Sequence, residues 1–428
     1  MRISRLALSA MIAGACFGGT AMGQQAQSNG SPYKSVSYFS EDAAAPSEST
    51  SCSDDSCDTS GCDSLGSGCG AGFGLLGCCD LGDPWRLIEP GPCGWNIGGW
   101  SNVGYHSANT QKNFNNYDGR VQLQQQWFYA EKVADGSEGL GLGGRIDYLY
   151  GTDAPDTQAF GVANNHWDNG FDNGGAYGHA IPQAYGQVAY GDLSVKVGKF
   201  FTIVGQEVVA ATGNFFYSRQ FTFYNAEPFT HTGALATYKV NDETEVYNGW
   251  VSGWDSGFER NGSAYIGGFK RQLTENSSFY YSTVLGRFGK ETAEDGSVHN
   301  FIFTSALNDR WTYISQTDVL YTTDGTGSTF RNTFGNINYL LYKVNDCVSI
   351  GQRFEWFNFG GNAPVFANAQ NNDLYNYTVG INYRATANLM FRPEVRWVFD
   401  RDRTIPLGVL ESGKNSQAIF GTDMIFTF

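Results

Sequence analysis

From Cys93 onward the chain alternates apolar and polar side chains in runs of about ten residues, separated by Gly, Asn and Asp. In the run 388–400, Leu389, Phe391, Pro393, Val395, Trp397 and Phe399 share one face, and Asn388, Met390, Arg392, Glu394, Arg396 and Asp400 share the other. Successive strand side chains point to opposite sides, so one face suits lipid and the other water. Tyr375, Tyr377, Val379, Ile381 and Tyr383 likewise oppose Asn376, Thr378, Gly380, Asn382 and Arg384, and Leu193, Val195 and Val197 oppose Ser194, Lys196 and Gly198. Helical periodicity is largely absent. The pattern predicts sixteen strands, at 94–107, 119–133, 140–151, 182–190, 193–201, 229–240, 243–255, 263–273, 277–288, 300–307, 311–323, 330–344, 348–359, 374–384, 389–400 and 417–428.

The connections alternate in length. After even strands they are short, as at Gly191-Asp192, Asn241-Asp242 and Ala385-Thr386-Ala387, whereas the links 152–181, 202–228, 289–299, 360–373 and 401–416 after odd strands are longer. Short turns at one end and long loops at the other are the signature of a transmembrane barrel, and an even count brings both chain ends to one side. The predicted fold is therefore an all-β, up-and-down antiparallel transmembrane barrel of about sixteen strands. Its domain would run over 93–428.

Two segments precede it. Arg2 and Arg5, the apolar stretch 6–17 and Ala21-Met22-Gly23 form an export signal, with cleavage expected after Gly23. Ala13-Gly14-Ala15-Cys16 only loosely fits a lipoprotein box. Residues 24–92 carry ten acidic and two basic side chains and are poor in apolar residues over 40–70, which predicts a flexible acidic extension. Cys52, Cys57, Cys62, Cys69, Cys78, Cys79 and Cys93 lie in or beside it, with Cys347 in a short turn on the same side. No C-x-x-C pair occurs, so disulfides are favoured over a metal site in an oxidising compartment. Their connectivity stays open.

Composition narrows the function. The chain has 428 residues with 55 Gly, 15% aromatic, 41% hydrophobic and only 16% charged side chains, and a net charge of −15. That balance excludes disorder and a collagen repeat, and the acidic charge argues against nucleic acid, whose phosphates demand a basic surface. Gly139–Gly144 lacks the Lys and following helix of a phosphate loop. The five His show no pairing with a nucleophile, so no enzyme and no cofactor are expected. Asp168 and Asp172 in DNGFDNGG suit turns better than calcium ligation. Trp100, Trp127, Tyr150, Trp250, Trp311 and Trp397 sit where interfacial aromatic girdles are expected.

The opening CGWNIGGW, the segment VKVGKFFTIVGQEVV and the terminal Phe resemble those of the OmpL-like family of outer-membrane β-barrel porins over about 94–428. The resemblance implies passive diffusion of small hydrophilic solutes and ions through an aqueous lumen in the bacterial outer membrane. Met424, Phe426 and Phe428 look like the C-terminal signal read by outer-membrane assembly machinery. Partners would be that machinery and outer-membrane lipid, and a homotrimer is compatible with the resemblance. The Cys-rich extension, expected in the periplasm, is no part of the general porin pattern.

Sixteen strands leave room for an aqueous channel. The link 202–228 opens with Ile203, Val204, Val208 and Val209, which favours folding into the lumen as a constriction, with Glu207 and Arg219 as candidate constriction charges. Strand parity turns Arg145, Asp147, Lys196, Arg353, Glu355, Arg384, Arg392, Glu394, Arg396 and Asp423 inward, six basic and four acidic, from which a weak anion preference follows. Pairing among Arg392, Glu394 and Arg396 is the plainer alternative. The competing function is a non-conducting outer-membrane anchor or adhesin that uses the Cys-rich extension or the external loops; a soluble secreted β-protein would extract without detergent.

Overall fold

The computed structural model describes residues 81–90, 93–108, 113–173, 175–259, 261–289, 293–366, 371–401 and 414–428. The export signal, most of the acidic extension and Cys52, Cys57, Cys62, Cys69, Cys78 and Cys79 lie outside the described residues. The strands are β1 (Asn96–His106), β2 (Gln122–Lys132), β3 (Leu140–Gly151), β4 (Gly178–Ala180 and Ala184–Tyr190), β5 (Leu193–Phe201), β6 (Thr230–Asn241), β7 (Thr244–Val251) and β8 (Ser263–Thr274). There follow β9 (Ser277–Arg287), β10 (Asp295–Ala306), β11 (Trp311–Thr323), β12 (Thr329–Lys343), β13 (Val348–Gly360), β14 (Asn372–Thr386), β15 (Leu389–Asp400) and β16 (Ser416–Thr427).

Strand β4 is in two pieces, Gly178–Ala180 and Ala184–Tyr190, both paired antiparallel with β3. The break falls at Pro182, which has no N–H to give to a ladder. The ladder bridges it through Asp147 N–H, which donates to Gln183 O at 3.0 Å. Strand β10 begins at Asp295, five residues before the polar-looking sequence predicted it, because Gly296 and Ser297 pair across both β9 and β11.

Each strand pairs antiparallel with its chain neighbours, and β1 closes on β16 from Trp100↔Thr427 to His106↔Gly421. In hydrocarbon an open edge would strand a row of N–H and C=O groups, so closure is the condition for crossing a membrane with strands. The seam reaches the last residue: Gly99 N–H donates to Phe428 O at 3.0 Å, and Phe428 N–H to Gly99 O at 2.9 Å.

The outward face carries exposed Phe128, Leu142, Ile146, Val188, Val197, Trp250, Trp356, Trp397, Phe420 and Phe426. Water would penalise each by ~1.5–3 kcal/mol, which lipid does not. Along β15 the outward Trp397 and Phe399 are exposed while Arg392, Glu394, Arg396 and Val398 are buried inward. Two girdle expectations are corrected here. Trp100 and Trp127 face inward and stack on each other, with centroids 4.7 Å apart, because a directly opposed pair on one sheet face brings the indoles together.

Residues 81–90 run along the short-turn rim. Trp85 N–H donates to Asn388 Oδ1 at 2.6 Å, Asn388 Nδ2 donates to Trp85 O at 2.8 Å and to Thr427 O at 2.9 Å, and Ala387 N–H donates to Leu81 O at 2.8 Å. Asn388→Ala removes these side-chain bonds and is expected to open 81–90 to trypsin cleavage after Arg86 while the barrel stays intact. Limited proteolysis followed by gel mobility of the unheated barrel checks this.

Candidate functional site in the barrel lumen

The link 202–228 between β5 and β6 lies against the inward face of the barrel. It contains a tight turn at Ala211–Gly213 and a short helix, α2 (Phe221–Ala226); a one-turn helix α1 (Ala154–Thr157) packs nearby in the link after β3. Ile203, Val204, Phe215, Phe216, Phe221 and Ala226 of the link join one core with inward Ile266, Val284, Ile302, Ile337, Phe357 and Val398 of the wall. Burying those apolar side chains accounts for the link's position, since in water they would remain exposed.

A buried backbone must also find polar partners. Glu394 accepts from Tyr217 N–H at 2.9 Å and Ser218 N–H at 3.2 Å. Glu355 accepts from Phe221 N–H at 3.0 Å, Thr222 N–H at 2.8 Å and Thr222 Oγ1 at 2.8 Å. Glu207, on the link itself, accepts from Gln220 N–H at 2.7 Å and Tyr339 Oη at 2.9 Å. Three carboxylates thus hold five backbone N–H groups of 217–222.

Guanidinium groups hold the carbonyls. Arg392 Nη1 donates to Ala211 O, Asn214 O and Phe216 O at 3.0, 2.6 and 3.3 Å, while its Nε and Nη2 grip Asp423 at 2.9 and 2.5 Å. Arg353 Nη1 pairs with Glu207 at 2.5 Å and donates to Ser218 O at 2.8 Å. Arg219 Nη2 donates to Val209 O at 2.9 Å. Gln125 joins wall, link and α1 region: it accepts from Trp100 Nε1 and Ala211 N–H and donates to Val209 O and Asp153.

The remaining inward charges are spread around the lumen. Arg145 bridges Asp147 at 2.8 Å and Glu131 at 3.0 Å, and Lys196 lies 4.9 Å from the Tyr185 ring centre. Arg396 donates to Asn376 Oδ1 at 3.0 Å and lies 4.3 Å from the Phe221 ring centre, so it meets neither Arg392 nor Glu394 directly. Arg384 reaches Ala387 O at the short-turn rim. Glu207, Arg219, Arg353, Glu355, Arg392, Glu394 and Arg396 are therefore brought together around the link, and Arg145, Asp147, Lys196 and Arg384 are not. All seven at the link are buried, whereas Lys196, Glu245 and Lys270 toward the short-turn end are partly exposed. Pattern reading missed Gln125, Tyr339 and Asn102, whose Nδ2 donates to Asp423 at 2.6 Å; uncharged polar residues on an inward face give no separate signal.

In the link after β3, burial pushes the Asp153 carboxyl up to about 7, against the pull of Arg219, and the Asp156 carboxyl up to about 6, against hydrogen bonds from Tyr224 and Asn116. Asp168 accepts from Ala159 N–H at 2.8 Å and Ile181 N–H at 2.7 Å, which ties this link to its own backbone. Met424, Phe426 and Phe428 alternate on the outward face of β16 and the residue beyond it. Cys347, in the turn between β12 and β13, is buried and its carbonyl accepts from Arg384 N–H at 2.8 Å.

A closed sixteen-strand barrel with an apolar outer belt and a long link folded against its inner wall is the architecture of outer-membrane porins. The chain belongs to the family described as "Putative beta-barrel porin-2, OmpL-like", which matches residues 94–428. Among solved structures, it is similar to the anion-selective porin from Comamonas acidovorans (10% identity, TM-score 0.54, 78% of this chain and 99% of that one). It is also similar to OmpT of Vibrio cholerae in a trimer form (12%, TM-score 0.52, 78% and 99%) and to the outer-membrane channel DcaP of Acinetobacter baumannii (10%, TM-score 0.50, 78% and 97%). At these identities the likeness is one of fold. No curated protein matches the sequence.

Two outcomes follow. Arg353→Met leaves Glu207 buried and unpaired, so a loss of about 3–5 kcal/mol is expected, part of it regained in the double variant with Glu207→Gln, as read by denaturant unfolding in detergent. Asp153 binds its proton more tightly folded than unfolded, so its contribution is most favourable below about pH 4 and declines as pH rises to about 7. Asp153→Asn is expected to flatten the pH dependence of the melting temperature across that window.

Proposed function

We propose that this chain is a porin through which small hydrophilic solutes and ions diffuse passively, with the link 202–228 governing passage. The observation that carries the reading is that link's position against the inner wall, held by Arg353 and Glu355 of β13 and Arg392 and Glu394 of β15. Glu207 and Arg219 then act at the narrowest level. Arg145, Arg353 and Arg392 are each paired with carboxylates, so an anion preference rests on Lys196 and Arg396. In this reading the short-turn end faces the periplasm, where the extension 24–92 lies after removal of 1–23. Cys347 and Cys93 stand at that end and form disulfides with cysteines of the extension. The outward Met424, Phe426 and Phe428 serve as the assembly signal, lipid covers the outer belt, and three copies associate through it.

A second reading, the non-conducting anchor or adhesin, is favoured by the burial of every candidate charge around the link. Planar-bilayer recording of the purified barrel, beside a variant in which 203–227 is replaced by a short Gly-Ser bridge, separates the two. Stepwise openings that become larger without the link are expected, and the reversal potential under a KCl gradient gives the ion preference. Silence from both folded proteins overturns the porin reading.

A further inference from the structure

Resting on that reading, we infer that inward glycines of the wall form a seat for the link 202–228, that the lumen is shut when the link is seated, and that these glycines set how often it opens. Gly335 on β12, Gly351 on β13, Gly380 on β14, Gly421 on β16 and Gly104 on β1 all face inward and all adjoin the link. A Cβ at Gly335 would stand 2.5 Å from Thr222 Oγ1, and one at Gly351 would stand 2.4 Å from Phe215 Cε1. At Gly421 and Gly104 it would stand 2.9 and 2.7 Å from the Tyr217 ring carbon Cδ1 and its hydroxyl, and at Gly380 3.3 Å from Phe216 Cδ1.

Backbone shape does not explain these residues. None of the five has a φ in the left-handed region, in contrast to Gly198 at +134°, so an L side chain is compatible with the strand at each. Glycine inside a strand weakens it and marks a close approach by something else. Here the approaching groups are consecutive side chains of one link, Phe215, Phe216 and Tyr217, followed by Thr222. Three of these are rigid rings that cannot swing aside within a packed interior.

The seat bears on conduction because the seated link leaves little room. The wall charges that meet it are buried, and the inward residues beside it include Ile337, Phe357 and Val398, which pack rather than hydrate. A pore whose walls were carved only for water needs no glycines at these points. The five are positioning residues: they act through the link and touch no solute in the shut state.

Single-channel recording tests this with Gly335→Ala and Gly351→Ala. Each is expected to raise open probability about tenfold, which corresponds to about 1.4 kcal/mol less stability of the shut state. Thr222→Cys with Gly335→Cys provides the converse: a Cβ at 335 lies 3.1 Å from Thr222 Cβ, so a small shift of the link brings the pair to the ~3.8 Å typical of a disulfide, while the reduced pair carries the same added Cβ as Gly335→Ala. The oxidised pair is expected to stay shut and to reopen on reduction, a reversible change that general destabilisation does not produce. Alanine variants that conduct like the parent, or an oxidised pair that conducts as the reduced one does, overturn the seat. The link-replaced barrel keeps the two questions apart: if it conducts while the seat variants are unchanged, only the seat fails, and if it and the parent are both silent, the porin reading fails.

Discussion

Unpaired backbone is intolerable in hydrocarbon, and that constraint organises everything else in this molecule. It requires the β1–β16 seam, it requires an even alternation of faces, and it leaves an interior that must be filled or wetted. The seam itself is completed by the reciprocal bonds of Gly99 with Phe428. Once the wall is closed, the inner face becomes a private surface on which charge can be placed without meeting lipid.

The same constraint recurs one level inward. A link that leaves bulk water carries its own N–H and C=O groups with it, and in this barrel they are met by acidic and basic wall residues. Glu355 and Glu394 take the donors of 217–222, and Arg353 and Arg392 take the carbonyls of 211–218. Charge-assisted bonds of this kind are stronger than neutral ones, and each carboxylate is held in turn by more than one donor. Lumen charges in this protein therefore have a structural task, fixing one conformation of the link.

The strand order was legible because alternation over ten residues is a strong local signal. All sixteen predicted strands are present, and the inward parity of Arg392, Glu394 and Arg396 is as read. What alternation does not encode is contact between distant segments. It gives the side of Trp100 and Trp127 no separate meaning, so a girdle is the expectation where the two in fact stack inside. Nor did parity show that Glu207 meets Arg353, a pair 146 residues apart. Nor does alternation distinguish the glycines at 335, 351, 380 and 421, whose lack of a side chain matters only beside Phe215, Phe216, Tyr217 and Thr222 of the link.

The Trp100–Trp127 stack gives the lumen its own optical label. Two indoles held face to face couple their transitions, and Gln125, which accepts the Trp100 N–H bond, also receives Ala211 N–H and donates to Val209 O of the link. A displacement of the link at 209–211 therefore changes what holds the Trp100 N–H. The barrel thus couples the position of a buried, colourless segment to near-ultraviolet dichroism, without an added dye.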